Sequence, residues 1–370
     1  MNKRIQTGII LSIVLLCFVP LTTQAQSSSE AEAESAIVIA VPNRLSVSEL
    51  KIRGRIQSQY ANSFGNNNNT GIDAGKYSSI EMRRARLGVQ GKVYGDWNFM
   101  IEANVLSTVD LDAATLTYAA IPQANVTLGK DKPRFGHEQN TSSASILTFE
   151  RTLMDGHMNG GKPLGLRVHG RIDLFSYYLG VYNGESVGTG RMGSDLDTYL
   201  YNASAGFNLA GLLGVDMKAD LRVDYLHNGG DTGYYNFEDA FAFSGHFGFG
   251  ELDLRAEYMT GERYDKNRIY GFYVMPSYFF VPDRFQAVLR YENVNSDAGL
   301  GLGQNRYADR VPGLFNAGNE YNALYAGLNY FIHGDNLKLM LGMELAENSN
   351  DVASSGGKVA TVFGGFRMQF

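Results

Sequence analysis

The stretch 216-DMKADLRVDYL-226 decides the fold. Side chains of an extended chain alternate between faces, so Met217, Ala219, Leu221, Val223 and Tyr225 share one side and Asp216, Lys218, Asp220, Arg222 and Asp224 share the other. One face is apolar and its opposite is charged at every position. Which of them looks outward depends on the surrounding solvent, and the rest of the chain supplies that information.

The chain opens MNKRIQTGIILSIVLLCFVPLTTQAQ, with Lys3 and Arg4 ahead of an apolar run from Ile9 to Leu21 and a small-residue end at Thr23 to Ala25. This is the layout of a secretory signal peptide, expected over residues 1–25. The run is too short, and too interrupted by Pro20, for a membrane-spanning helix. Cleavage after Ala25 removes the only cysteine, Cys17, which excludes a small disulfide-stapled scaffold. It also removes Lys3 and Arg4, leaving 30 basic against 38 acidic side chains, a balance that argues against a nucleic-acid partner. No other stretch reaches the roughly 20 apolar residues that a membrane helix needs. With 43 Gly, 22 Tyr, 21 Phe and only 8 Pro, the composition points to a β-barrel. Residues 26–48, beginning with the small and acidic run QSSSEAEAESAIVIAV, are expected to form a periplasmic extension or a disordered tail, and residues 49–370 the barrel.

The same dyad recurs along the chain. In ELKIRGRIQSQY, Leu50, Ile52, Ile56 and Tyr60 oppose Lys51, Arg53, Arg55, Gln57 and Gln59. In RARLGVQGKV, Ala85, Leu87, Val89 and Val93 oppose Arg84, Arg86, Gln90 and Lys92. ELDLRAEYM sets Leu252, Leu254, Ala256 and Tyr258 against Glu251, Asp253, Arg255 and Glu257, and NLKLMLGMELA sets its leucines against Lys338, Met340, Gly342 and Glu344. YGFYVMPSYFF is less clean, with aromatics on both faces. Short turn-rich connections such as VYGDW, AIPQA, VPDR and IHGDN alternate with longer ones, seven turns against eight loops, which implies sixteen antiparallel strands. In the last of them Val362, Phe366, Met368 and Phe370 share a face, and this aromatic ending resembles the signal read by the bacterial outer-membrane assembly machinery. The apolar faces are therefore assigned to outer-membrane lipid and the charged faces to a water-filled lumen, because lipid satisfies neither charges nor open strand edges. Sixteen strands are enough to enclose an aqueous channel.

Three segments, RRARLGVQGKVYGDWNFMIEAN (83–104), ANVTLGKDKPRFGHEQNTSSASILTFERTL (124–153) and GLRVHGRIDLFSYYLGVYNGE (165–185), resemble the phosphate-selective porin O/P family. The resemblance thins afterwards. It implies a trimeric, sixteen-stranded transmembrane porin whose third loop folds into the pore and whose lumenal Arg and Lys ladder passes anions. It does not establish phosphate as the solute.

The residues themselves divide the lumen by charge. Lys51, Arg53, Arg55, Arg84, Arg86, Lys92, Arg167 and Arg171 form a basic wall on the first, second and sixth strands. Asp216, Asp220, Asp224, Glu251, Asp253, Glu257, Glu292 and Glu344 form an opposing acidic wall, interrupted by Lys218, Arg222, Arg255, Arg290 and Lys338. Opposed sectors across a narrow pore set up a transverse field that orients polar solutes. The plainer reading is that these groups pair across strands and solvate the wall. The long segment from Asp131 to Pro163 is the expected constriction, with Lys130, Lys132 and Arg134 at its approach and a short helix expected over SASILTFERTL, carrying Arg151.

Catalytic patterns are poor: His137-Glu138 lacks the second histidine of a zinc helix, no serine sits in a nucleophile elbow, and His169 reads as a polar lumen residue. No enzyme activity, cofactor or metal is expected. Two functions remain, a passive-diffusion porin for small polar solutes with a bias toward anions, or a plugged barrel acting as a structural or surface-display protein.

Overall fold

The computed structural model describes residues 37–38, 47–67, 73–184, 199–230, 235–299, 301–303, 305–314, 317–350 and 356–370. The expected signal peptide, most of the 26–48 extension and the loop residues 68–72, 185–198 and 351–355 lie outside them. Sixteen antiparallel strands follow one another: β1 (Val47–Asn67), β2 (Asp73–Val93), β3 (Trp97–Asn104), β4 (Asp110–Tyr118), β5 (Asn125–Lys130), β6 (Leu164–Ile172), β7 (Phe175–Asn183), β8 (Tyr199–Asn208), β9 (Lys218–Asn228), β10 (Asp239–Phe249), β11 (Leu252–Glu262), β12 (Arg268–Val281), β13 (Phe285–Ser296), β14 (Glu320–His333), β15 (Leu337–Ser349) and β16 (Gly357–Gln369). Each pairs with its sequence neighbour, and β16 pairs with β1, Phe363 opposite Ala61, so the sheet closes and leaves no edge. A two-residue strand, Ile37–Val38, adds to β1 opposite Ile52 and Lys51.

The alternation read from the opening stretch holds on β9, where Leu221 and Val223 face out, 42% and 39% exposed, and Asp224 faces in, 1% exposed. On β15, Leu341 is 60% exposed while Lys338 is fully buried. Such an outer surface is stable only against lipid. Two aromatic bands border it. Trp97 packs on Tyr118, and Phe285 on Phe280 and Tyr330, at the short-turn end; Tyr225 packs on Phe241, and Phe272 on Tyr291, toward the long-loop end. Amphipathic rings collect at both membrane–water interfaces for this reason.

Local backbone geometry sets the turns. Tyr94 (φ 48°) and Gly95 (φ 81°) are consecutive left-handed residues, the geometry of a tight hairpin whose twist matches its strands. Asp216 and Glu251, expected on inward strand faces, sit instead in the connections just before β9 and β11, both exposed. At the barrel seam the Phe370 ring lies over Gly54, where a Cβ would come within 2.2 Å of it, so β1 needs a glycine there.

A bulge corrects the face assignment on β2. Gln57 pairs with Arg84 but Ser58 with Met82, leaving Arg83 as the extra residue. Strict alternation would put Glu81 and Arg83 toward lipid; the bulge turns both inward and Met82 outward, 46% exposed.

The inward apolar residues that blurred the pattern have a partner, the segment between β5 and β6. Its Leu147 packs with Tyr273, Met275 and Val288, which explains the two-sided aromatics of YGFYVMPSYFF. Phe149 stacks on Phe363 at 5.1 Å, and Phe135, Met154 and Met158 join Leu226, Met259 and Val294. The helix expected over SASILTFERTL does not form. Short helices flank it instead, α1 (His137–Asn140) and α2 (Leu153–Met158), the second capped by Thr152, whose hydroxyl accepts the Asp155 N–H. Between them the carbonyls of Ile146, Thr148 and Phe149 accept hydrogen bonds from wall side chains, so they are not spent on a helix.

Candidate functional site

An irregular chain must find partners for every buried N–H and C=O group. The inward side chains of β8–β16 provide them for the segment 131–163. Carboxylates take the amides: Asp224 accepts from Gly136 at 2.9 Å, Glu257 from His137 and Glu138, and Glu292 from Met154 at 2.9 Å. Cations and amides take the carbonyls. Arg367 donates to Ile146, Thr148 and Phe149 at 2.6–2.8 Å, Lys338 to Ile146, and Asn329 to Leu147. Gly136, at φ 76°, lies so close to the wall that a Cβ would meet Met259 at 2.8 Å.

One buried hub ties these contacts together. Arg290 bridges Glu138 at 3.1 Å and Glu344 at 3.2 Å, and donates to the Glu150 carbonyl. Glu138 in turn accepts from the Thr152 amide and hydroxyl, both at 2.8 Å. Burial without an ion partner would cost several kcal/mol per charge, so each of these groups depends on the others. On the other side, Arg83 clamps Glu150 with two hydrogen bonds of 2.8 and 3.0 Å.

A second loop braces the arrangement from above. Tyr307, between β13 and β14, is fully buried against Phe363 and donates to Glu81 at 2.5 Å, while Arg306 and Arg310 each reach the same carboxylate at 3.1 Å. Their charges hold Glu81 together with Tyr307, Gln59 and Glu150 in one network.

The cations expected along the first half meet in a cavity of about 550 Å³, lined by Arg53, Arg55, Arg84, Arg86, Lys130, Lys132, Arg151 and Lys162 against Glu102, Asp110, Asp112 and Asp131. Pairing is uneven there. Arg86 reaches Asp112 at 2.9 Å and Glu102 at 3.3 Å, Arg53 reaches Glu102 at 3.6 Å, Lys162 pairs with Asp112, and Arg167 with Asp131 at 2.8 Å. Among the described residues Arg55, by contrast, hydrogen-bonds the hydroxyls of Ser143 and Ser142, and Arg84 the Gln57 amide oxygen. Arg151 is held by the Glu138 and Thr141 carbonyls, and Lys132 by that of Gln139, where burial lowers the Lys132 ammonium to about 8. Lys51 pairs with Glu49 at 3.0 Å and Lys92 is half-buried, both outside the cavity.

Arg134, Arg171 and Asp220 line a separate cavity with Lys218 and Arg222, and Asp253 pairs with His246 and Arg255 at 2.5 and 2.8 Å. Asp224, Glu257, Glu292 and Glu344 do not line an open wall; they lie beneath the segment. Arg83, Glu138, Glu150 and Arg367 were missed in the sequence. For Arg83 the strand period pointed the wrong way, whereas Arg367 shows an available signal, a lone cation on the inward face of β16.

The family model "Phosphate-selective porin O and P" matches residues 50–211. Porin O of Pseudomonas aeruginosa is 32% identical over 109 residues, which cover 27% of this chain and 24% of Porin O, so the match spans about a quarter of that relative. Among solved structures, the outer-membrane channel DcaP of Acinetobacter baumannii superposes with a TM-score of 0.56 at 13% identity, covering 87% of this chain and 97% of DcaP. A loop-deleted OmpT of Vibrio cholerae gives 0.55 at 13% identity over 87% and 99%, and OmpF of Salmonella typhi 0.55 at 11% over 87% and 98%. These likenesses show the porin barrel fold. Over residues 50–211, somewhat under half of the chain, the sequence is similar to the phosphate-selective porin O and P family, and the barrel has the fold of bacterial outer-membrane porins.

Proposed function

We propose that this protein is a porin that passes small polar solutes by passive diffusion with a bias toward anions. The observation that carries the proposal is the uneven lumen: the 550 Å³ cavity has eight cationic side chains against four acidic ones, while the acidic wall opposite is occupied by the segment 131–163. On this reading that segment, the third loop, is folded into the pore as its constriction, and solutes travel along the β1–β6 side. Fixed positive charge within a low-dielectric channel raises the local anion concentration, and weak, repeated contacts let the ion leave again. The solute is left as small anions and polar molecules of that size class.

The same proposal takes residues 1–25 as an export signal and 26–48 as a periplasmic extension, and gives the barrel a homotrimeric assembly through its outer face. The outward Val362, Phe366, Met368 and Phe370 are its contact with the assembly machinery.

A plugged structural or surface-display barrel is the second reading, favoured by how completely the segment 131–163 and Tyr307 fill the β12–β1 sector. Planar-bilayer recording of the purified protein separates the two. Stepwise channels with a reversal potential of anionic sign in a KCl gradient are expected; a silent bilayer, with correctly folded protein, supports the plug.

A further inference from the structure

Beyond α1 lies a second chamber of about 420 Å³, and Asn140 lines both it and the basic cavity. Its cations come from three separate stretches of chain: Arg134 opens the segment 131–163, Arg171 ends β6, and Lys218 and Arg222 lie on β9. Arg222 is held by Asp224 at 3.0 Å. Arg171, Lys218 and the Arg134 guanidinium make no ion pair among the described residues, unlike Arg53, Arg86 and Lys162 of the basic cavity.

The polar groups of this chamber are underused in a second respect. Among the described residues, Nε2 of His137 and Nη2 of Arg222 are buried without a hydrogen-bond partner, and both residues line it. A buried polar atom left unsatisfied is destabilising, so a ligand that draws either side chain into a hydrogen bond gains affinity. Ser176 and Ser244 add hydroxyls, and Asp220 adds a carboxylate that has no partner among the described residues.

Asp220 is the discriminating group. Three unpaired cations attract any oxyanion, but a lone carboxylate among them repels a plain one and rewards a solute that brings a donor of its own. Specificity of this kind comes from the repulsive element as much as from the attractive ones. A site built to hydrogen-bond a hydroxyl rejects the analogue that lacks it, because the site's own polar group is then stranded.

We propose that the inner chamber is a second solute station, in series with the basic cavity, that takes small carboxylates carrying hydroxyl or ammonium donors: hydroxy acids and amino acids. Its place on a permeation path rests on the porin reading above, while its ability to bind does not. Calorimetric titration of the purified barrel in detergent with tartrate and with succinate tests it, since the two diacids share a carbon chain and differ in two hydroxyls. Tartrate is expected to bind about fivefold or more tighter than succinate, and the R171Q/K218Q variant to weaken both by about tenfold or more. D220N is expected to erase the preference for tartrate.

Arg171 and Lys218 are exposed, so their substitution leaves the fold intact, which heat-modifiable migration on gels verifies. The charge-preserving R171K/K218R variant is expected to keep the affinity. Equal affinity for the two diacids, or tartrate binding untouched by R171Q/K218Q, overturns the proposal. So does loss of tartrate binding in R84Q/R86Q, which would move the ligand to the basic cavity. Bilayer recording of the same protein keeps the two readings apart: tartrate binding with no channels counts against the porin and leaves the chamber standing.

Discussion

The two halves of the lumen use the same kind of residue for different ends. Along β1–β6 inward charges border open space, and most remain partly exposed. Along β9–β16 many of the inward charges lie under a folded segment, where Asp224, Glu257, Glu292, Arg290, Lys338 and Arg367 serve as hydrogen-bond partners for its backbone. The difference teaches that charge on a pore wall is not by itself a filter. An inward carboxylate becomes part of the selectivity field only if nothing docks on it, and on the proposed reading the docking leaves the basic cavity to dominate that field.

The most severe way to break this contrast is to remove the covering segment. Deleting Thr141 to Thr152 should raise single-channel conductance severalfold, and it should also move the reversal potential toward cations, because the acidic wall becomes exposed. A larger conductance with unchanged anion preference would show that the covered carboxylates take no part in the field.

Breaking the hub comes next. Arg290→Met strands Glu138 and Glu344 in a buried site, which costs roughly 3–5 kcal/mol of local stability when one partner of such a pair is lost. The strands should stay protected in hydrogen exchange while the amides of residues 136–154 exchange faster, and channel current should become noisy. Uniform exchange across the segment would mean that the carbonyl clamps of Arg367 suffice without the hub.

The contrast between inner and outer faces is sharpened by placing one charge on each. Leu341→Arg faces lipid and is expected to cost about 2–4 kcal/mol near the membrane midplane, read as a lower urea midpoint for unfolding from vesicles. Reversing Arg84 and Arg86 to Glu faces the lumen and should leave that midpoint close to wild type while the anion-to-cation permeability ratio falls, since permeating ions pass within the roughly 8 Å screening length of physiological salt. Failure of the Arg84/Arg86 variant to assemble would show that its pairing with Gln57, Glu102 and Asp112 is structural first.

The smallest effect belongs to Lys51→Gln. Its partner Glu49 is partly exposed, and such solvent-accessible pairs contribute about 0–1 kcal/mol. Both midpoint and reversal potential should hardly move; a marked shift in selectivity would extend the filter to the short-turn end of β1.

The alternation of Asp216 to Leu226 was legible because it is local: period two follows from the geometry of one extended chain, whatever that chain pairs with. The aromatic ending, the turn chemistry and the count of seven turns and eight loops are local in the same sense, and with them the sequence by itself determined a sixteen-stranded barrel with lipid outside and charge within. It put Arg53, Arg55, Arg84 and Arg86 on one inward wall and Lys130 and Lys132 at the approach to the constriction, whereas the single cavity they line is read from the tertiary structure. Tertiary structure alone decided three things. The inward turn of Glu81 and Arg83 depends on a register shift between β1 and β2, which neither strand encodes separately. The missing helix in SASILTFERTL depends on Arg367 and Lys338, some two hundred residues away, competing for its carbonyls. The fate of the acidic residues on β9, β11, β13 and β15 depends on what fills the barrel, because a carboxylate facing inward is drawn the same way in sequence whether it meets water or a buried amide.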